Sequence, residues 1–328
     1  MKVGKLNTND LHRLINGHTG ARRDEVIIRP KIGEDCSVIK FGDEGCILST
    51  DPITGSASEV GKLAVHINCN DIASSGGEIV GVLLTILAPE GTPLEDLMAI
   101  MAQASEEAKK MNVEIVGGHT EVTKAVNQIV VSATAVGKEK LENIVATGSG
   151  RVGDKIIITK GIGIEGTGII AFEKAEELSG VLMPEELKEA QHMMDKISVY
   201  KEGRIAGAFG VTSMHDVTEG GIFGALWEGC MASGHGCLID LNRLPVAPVT
   251  RKICMHFEIN PYQLISSGSM VITVVPEKSE ELMALLEKND VPCFEIGVLT
   301  EKNILFCDET GRERQIPEPS SDELYKVI

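Results

Sequence analysis

Met214-His215-Asp216-Val217-Thr218-Glu219-Gly220-Gly221 joins an extended apolar pattern, Val211 to Met214, to a helical one, Ile222 to Ser233. A strand that ends in polar residues and turns through paired glycines into a helix is a building unit of α/β proteins. The start of such a helix presents free backbone amides that attract anions. Asp216 and Glu219 disfavour a bare anion there but suit one bridged by a metal ion. The plain alternative is a helix cap made by Asp216 or Thr218.

Outward from this junction the same alternation continues. Asp154 to Thr159 reads as a strand and Gly161, Gly163, Gly166 and Gly168 as a glycine-rich turn, with a helix toward Leu178 and a helical pair to about Phe209. Met270 to Val275 and Phe294 to Val298 read as strands around a helix over Ser279 to Asn289. Toward the N-terminus, Val26 to Ile28, Cys36 to Lys40 and Cys46 to Ser49 read as short strands separated by turns. A helix capped by Ser58 and stopped by Gly76-Gly77 follows, then a buried strand over Val80 to Leu87. Pro93 to Met111 is an amphipathic helix, and Val113 to Val116 and Gln128 to Val136 are strands. Gly148-Ser149-Gly150 marks a boundary, giving domains over residues 1–147 and 148–328.

Four further polar segments punctuate these elements. Gly33-Glu34-Asp35 sets two carboxylates side by side, which need a cation or solvent. Ser49-Thr50-Asp51 ends a strand before Pro52; it suits a metal and a phosphate, or equally an Asx turn. Asn68-Cys69-Asn70-Asp71 lies late in a helix otherwise suited to burial, where unpaired polar groups are costly. A metal or phosphate would satisfy them, and so would a solvated helix face. Gly117-Gly118-His119-Thr120-Glu121 follows a strand; paired glycines allow close approach to a phosphate, and His119 is a candidate base, a phosphate contact or a turn residue. No P-loop and no complete dinucleotide fingerprint is present.

Composition narrows the classes. The net charge of −17 repels nucleic acid and anionic membranes, and repels ATP unless a cation such as Mg²⁺ compensates. Aromatic residues make up only 3%, too few for the stacking platforms of single-strand binders. No window has the roughly 18 apolar residues of a membrane span. Met1 to Arg13 carries no signal-peptide core, and the eight scattered cysteines read as reduced thiols, so the expected compartment is the cytoplasm.

The order of the five segments resembles the aminoimidazole ribonucleotide (AIR) synthetase superfamily from about Lys5 to about Cys307. That superfamily includes hydrogenase-maturation carbamoyl dehydratases, thiamine monophosphate kinase and selenophosphate synthetase. Met214 to Gly221 is most similar to the Arg-Asp-Pro-Thr-Arg-Gly-Gly stretch of the hydrogenase-maturation branch, and Ser266-Ser267-Gly268 falls where the superfamily has a small-residue turn near the nucleotide. The resemblance implies a two-domain α/β (α+β) fold whose N-terminal sheet pairs across a homodimer into a barrel. It implies ATP and Mg²⁺ as cofactors, a small acceptor with an oxygen nucleophile such as an amide, and a partner maturation protein. By matched position Asp35, Asp51, Asp71 and Glu121 would hold metal; Thr50, Asn70, Gly117, Gly118, Thr120, Glu219 and Gly268 would line the nucleotide; Asp51, His119 and Asp216 would act in catalysis.

The chain also departs from those relatives. It ends Tyr325-Lys326-Val327-Ile328 where the dehydratase ends in a carbamoyl-carrying cysteine. It lacks the early reactive cysteine of selenophosphate synthetase, and it has His119 where the kinase has aspartate. These departures leave two other readings open, a nucleotide-binding paralogue without catalysis and a small-molecule kinase.

Overall fold

The computed structural model describes residues 4–53, 59–319 and 321–328. The expected helix cap Ser58 lies outside them. After an exposed helix α1 (Thr8–Ile15), strands β1 (Val26–Ile28), β2 (Ser37–Phe41) and β3 (Glu44–Ile53) form an antiparallel run. Helix α2 (Val60–Ser74), strand β4 (Glu78–Ala88), helix α3 (Leu94–Lys110) and strands β5 (Glu114–Val122) and β6 (Val130–Lys140) complete a six-stranded sheet. Its order is β1-β2-β3-β6-β4-β5, with only β4 and β5 parallel.

The second half opens with β7 (Lys155–Thr159), followed by helices α4 (Ile164–Glu173), α5 (Ala175–Leu178), α6 (Pro184–Gln191) and α7 (Tyr200–Phe209). Strand β8 (Ser213–Val217), helix α8 (Gly221–Ser233), β9 (Gly236–Asp240), α9 (Pro248–His256), β10 (Ser269–Val274), α10 (Ser279–Lys288), β11 (Cys293–Thr300), β12 (Ile304–Cys307) and β13 (Glu313–Gln315) follow. The seven-stranded sheet runs β13-β12-β9-β11-β7-β10-β8. Both of its faces are covered. Ile156 and Ile158 of β7 point into the cluster beneath α8, while Ile157 points into the cluster beneath α7 and α10. A strand buried on both faces reads as a continuous apolar run, as Ile156-Ile157-Ile158 does.

The first sheet differs, because α2 and α3 cover one face and the opposite face leaves Val80 and Leu83 exposed. Helix α2 packs on β3, β4 and β6 of the first sheet and on α7 and β8 of the second half. All of its 15 residues except Lys62 and Ile67 are buried. Helix α7 approaches it so closely that a Cβ on Gly203 would lie 2.3 Å from the Ala73 carbonyl oxygen. Among the described residues, no helix is long and apolar enough to cross a membrane.

Three local expectations are corrected. Strand β3 does not stop at Ser49; it runs to Ile53, with Asp51 and Pro52 in register against Ala133 and Ser132 of β6. Strand β5 likewise continues through Gly117 to Glu121, held in register by β4. The glycine-rich turn is instead an N-cap at Gly163 followed by helix α4, which contains Gly166 and Gly168. Those two positions admit Leu264 and Met194, whose side-chain atoms lie 2.4 and 2.6 Å from where a Cβ would stand.

Helices α2 and α3 are joined by a part-buried pair, His66 Nε2 to Glu107 Oε2 at 2.9 Å, and by the Gly61 amide donating to Gln103 Oε1 at 3.2 Å. The hydrogen bond from His66 holds the Glu107 carboxyl at about 2, below its usual 4.5, against the opposing effect of burial. A carboxyl depressed in the folded state stabilises above its unfolded pKa, and that stability is lost as pH falls through the folded value. Glu107→Gln should therefore cost about 1–3 kcal/mol near neutrality. The gap between wild type and variant should narrow below about pH 4. Thermal unfolding at the two pH values tests this; identical melting at neutral pH would assign the pair no role.

Candidate functional site

The buried helix α2 carries its polar residues on the side facing β3 and the second half. Asn68 Oδ1 accepts the backbone amide of Asp51 at 2.7 Å, and Asp71 Oδ2 accepts the Ser49 hydroxyl. Ser49 and Asp51 lie two residues apart on β3 and share a face, which brings Asp51 to Asp71. In the loop before β2, Glu34 turns away and accepts the Thr147 amide at 2.9 Å. Asp35 turns inward and accepts from Ser74 Oγ at 2.8 Å. Strand β8 supplies the fourth carboxylate, Asp216, which is 1% exposed and whose Oδ2 has no hydrogen-bond partner among the described residues.

Beside Asp216 lies His215. Its Nδ1 is 2.7 Å from Asp35 Oδ1 and its Nε2 is 3.1 Å from Glu228 Oε2 on α8. Burial alone would lower its pKa, but the Asp35 and Glu228 carboxylates override that and raise it well above the usual histidine value. The ring is thus an imidazolium donating from both nitrogens. Lys5 Nζ stands 3.6 Å from Glu228 Oε1, and the Lys5 amide donates to Glu219 Oε1 at 3.2 Å.

Burial, then the charges of Asp216, Asp51 and Asp35, push the Asp71 carboxyl well above the carboxylate range. Asp51 keeps an exposed edge; partial desolvation raises it, and Lys5 and Asp71 moderate the rise. Burial and then Asp35 push Asp216 up to about 8, with His215 and Lys5 opposing. Polar atoms of Asp35, His215 and Asp216 lie within 4.8 Å of one another; the two aspartates offer oxygen ligands, while His215 is engaged as a donor to Asp35 and Glu228. Crowded oxygen donors and an unpartnered buried carboxylate oxygen are the donor set of a hard divalent cation. The residues present fit such an ion.

The remaining sequence-derived residues go elsewhere. Thr50 faces the other side of the sheet, donating to the Ala133 carbonyl at 2.9 Å and accepting from Thr134 at 3.0 Å. Asn70 is fully buried and spends both ends on the backbone of the second half. Its Nδ2 donates to Ile197 O at 2.8 Å and its Oδ1 accepts from Val199 N at 2.9 Å. Gly117, Gly118, His119, Thr120 and Glu121 are exposed on the edge strand β5. Ladder partners run Asp51, Ala133, Leu84, Gly118. Three strand spacings, about 14 Å, therefore separate Gly118 from Asp51. His119 meets Glu121 at 3.4 Å in solvent, not the carboxylates. A Cβ on Gly118 would lie 1.9 Å from the Leu84 carbonyl oxygen, so this glycine permits strand approach. Gly268 packs on the Lys196–Ile197 backbone.

Sequence reasoning missed Lys5 and Glu228 and left His215 without a role. Glu228 carried a faint signal, one acidic residue inside the largely apolar α8. Lys5 carried none.

A carboxyl whose pKa is raised in the folded state costs stability as pH rises from its ordinary value through the folded one. For Asp216 that window runs from 3.8 to about 8. The raised His215 acts in the same sense, its stabilisation being lost with rising pH. Without divalent cations the melting temperature should thus fall between about pH 5 and pH 8. Millimolar Mg²⁺ should reverse the fall, and Asp216→Asn should raise the cation-free melting temperature and blunt the Mg²⁺ response. A flat profile that ignores Mg²⁺ would contradict the crowding described.

Known proteins share this arrangement of chain. The chain is 26% identical over 303 residues to the putative hydrogenase expression/formation protein MJ0676 of Methanocaldococcus jannaschii, covering 90% of this chain and 88% of that one. It is 24% identical over 282 residues to the carbamoyl dehydratase HypE of Escherichia coli, covering 84% and 81%. Among solved structures, HypE in a HypE–HypF complex superposes with a TM-score of 0.76 at 20% identity, covering 94% of this chain and 99% of that one. A HypE crystallised with ATP superposes with a TM-score of 0.69 at 19% identity, covering 95% and 91%. The model for the N-terminal domain of AIR synthase related proteins matches residues 33–138 and that for the C-terminal domain matches residues 151–308, and the chain belongs to this family.

Proposed function

We propose that this protein is an ATP- and Mg²⁺-dependent enzyme that activates the oxygen of a small amide or carboxamide by phosphoryl transfer, in the manner of a hydrogenase-maturation dehydratase. The observation that carries the reading is that Asp35, Asp51, Asp71 and Asp216, from a loop, a strand, a helix and a second sheet, repel one another's charge while Asp216 Oδ2 has no hydrogen-bond partner among the described residues. The relatives named carbamoyl dehydratase and the HypE solved with ATP support it.

Phosphoryl transfer needs alignment and charge neutralisation more than covalent help from the protein. Divalent cations at these carboxylates would supply the neutralisation. The chain's own part is to hold the carboxylates in place. Ser49 orients Asp71, Asn68 fixes the backbone of Asp51, and Ser74 with His215 fixes Asp35. Asp51→Asn and Asp71→Asn should each lower Mg²⁺-dependent ATP turnover by roughly 10²-fold or more. Full turnover in both variants would end this reading. One observation favours a second reading, nucleotide binding without turnover: His119 and Glu121 stand apart from the carboxylates within one chain. Tight binding of Mg²⁺-ATP by wild type, with no hydrolysis across a panel of amides and carboxylates, would select it.

The uncovered face of the first sheet supports a homodimer as part of the same proposal. Val80, Leu83 and Val116 are exposed on adjoining strands β4 and β5, and contiguous apolar surface of this kind marks an interface. A second copy presenting the same face is the occupant we infer. Leu83→Lys should convert a dimer to a monomer in sedimentation or light scattering, while a wild-type protein already monomeric at micromolar concentration would refute the pairing. A partner maturation protein, as in the HypE–HypF complex, is a further expectation of this reading.

A further inference from the structure

Lys5 is a half-exposed cation at the edge of the carboxylate cluster, and the fold holds it by its backbone rather than by its head. Gly4 has a φ of +109°, and a Cβ on it would lie 2.7 Å from Glu219 Oε1 and 3.7 Å from the Ser321 Cα and from the Tyr325 ring. The chain therefore threads between Glu219 and the C-terminal segment in a conformation that favours glycine. The Lys5 amide then donates to Glu219 Oε1 at 3.2 Å. Asp322 secures the C-terminal wall, accepting the amides of Gly220 at 2.6 Å, Ile265 at 3.2 Å and Leu324 at 2.8 Å. The Lys5 ammonium, by contrast, is loosely held. Its Nζ lies 3.6 Å from Glu228 Oε1 and 3.5 Å from Thr218 Oγ1, long for a charge-assisted hydrogen bond, and its side chain is 54% exposed.

The surroundings leave this cation a task that its neighbours cannot do. The strongest positive charges acting on Asp51 and Asp216 are those of Lys5 and His215. His215 is 5% exposed, and both of its ring nitrogens are engaged. The first turn of α8, Gly221 to Gly224, has no basic residue, and Glu219 just before it is acidic. Glu228 first, then Asp51, Glu219 and Asp35, hold the Lys5 ammonium above the ordinary lysine value against the effect of burial, so it stays charged. That attraction comes from carboxylates of both halves of the chain, and it weakens when divalent cations neutralise them. A compact ammonium on a flexible stem can then turn to another anion while its backbone stays in place.

We propose that Lys5 is a phosphate-binding residue, its ammonium passing from Glu228 and Thr218 to a phosphate oxygen of the nucleotide once divalent cations occupy the carboxylates. The assignment rests on the ATP-dependent reading above and adds to it a residue from a segment ahead of the matched N-terminal domain, residues 33–138. A phosphate chain that meets cations on one side still carries charge on its other oxygens, and positioning with charge neutralisation is most of what phosphoryl transfer asks of a protein. The anchored backbone and loose head of Lys5 suit that demand.

The test uses the full chain with millimolar Mg²⁺, titrated calorimetrically with inorganic tripolyphosphate, which presents the phosphate chain without the nucleoside. Lys5→Met, which keeps the stem and removes the charge, should weaken binding by about tenfold or more. Lys5→Arg, which keeps the charge, should recover it to within about threefold of wild type. Both unliganded variants should melt within about 3 °C of wild type, because an exposed ion pair adds little to stability. Wild-type affinity in Lys5→Met, a loss that Lys5→Arg does not recover, or a wild type that ignores tripolyphosphate with Mg²⁺ would each overturn the proposal. Full ATP turnover in Lys5→Met beside its loss in Asp51→Asn would defeat the lysine contact and leave the catalytic reading standing. The expected loss of tripolyphosphate binding in a protein that never turns over ATP would do the reverse.

Discussion

Everything in this structure depends on one helix that has no solvent side. Helix α2 is buried from Val60 to Ser74 apart from Lys62 and Ile67, yet it carries Asn68, Asn70 and Asp71. A polar group in such a place must be paired, because its desolvation is otherwise uncompensated. Each residue solves this differently. Asn68 bonds the backbone of β3, Asn70 bonds the backbone of the second half, and Asp71 takes the Ser49 hydroxyl. The first two make the helix a two-sided bracket that fixes the sheets relative to one another. That fixed relation brings Asp51 from the first sheet within electrostatic reach of Asp216 from the second.

The bracket explains which residues were legible in the sequence. Strands β7 and β10 and helices α3 and α8 stood out because their apolar periods match their burial. Asp35, Asp51, Asp71 and Asp216 stood out as carboxylates at element ends or within apolar runs, where local chemistry gives them no partner. What failed was the extent of β3 and β5. Asp51-Pro52 and Gly117-Gly118 look like breaks to any local rule. Partner strands β6 and β4 nevertheless hold both segments extended. Tertiary pairing overrode propensity, and the supposed phosphate turn over Gly117–Glu121 became an exposed sheet edge. Asn70 was misread for a related reason. Its partners, Ile197 and Val199, lie more than 120 residues away, and a backbone carbonyl and amide leave no mark in side-chain sequence.

Lys5 and Glu228 were invisible individually because their meaning is electrostatic and collective. Lys5 belongs to a polar N-terminal stretch, and Glu228 sits alone on an apolar helix. Only in the folded chain does Lys5 reach Glu228, Glu228 reach His215, and His215 reach Asp35. This relay alternates in sign, which keeps the buried His215 and the part-buried Asp35 and Glu228 tolerable, with exposed Lys5 at its outer end.

The relay also decides where outside charge must enter. His215 and Lys5 are the cations the chain supplies, and they are engaged first by Asp35 and Glu228. Among the described residues that leaves Asp51, Asp71 and Asp216 with no side-chain ion pair, and these are the carboxyls that desolvation and mutual repulsion push upward. Their neutralisation requires either protons or a divalent cation. A chain of net charge −17 cannot attract a bare triphosphate to the same place. A cation is thus the one addition that resolves both repulsions together, among the carboxylates and between protein and nucleotide. The imbalance left after Lys5 and His215 are engaged is what a divalent cation would balance.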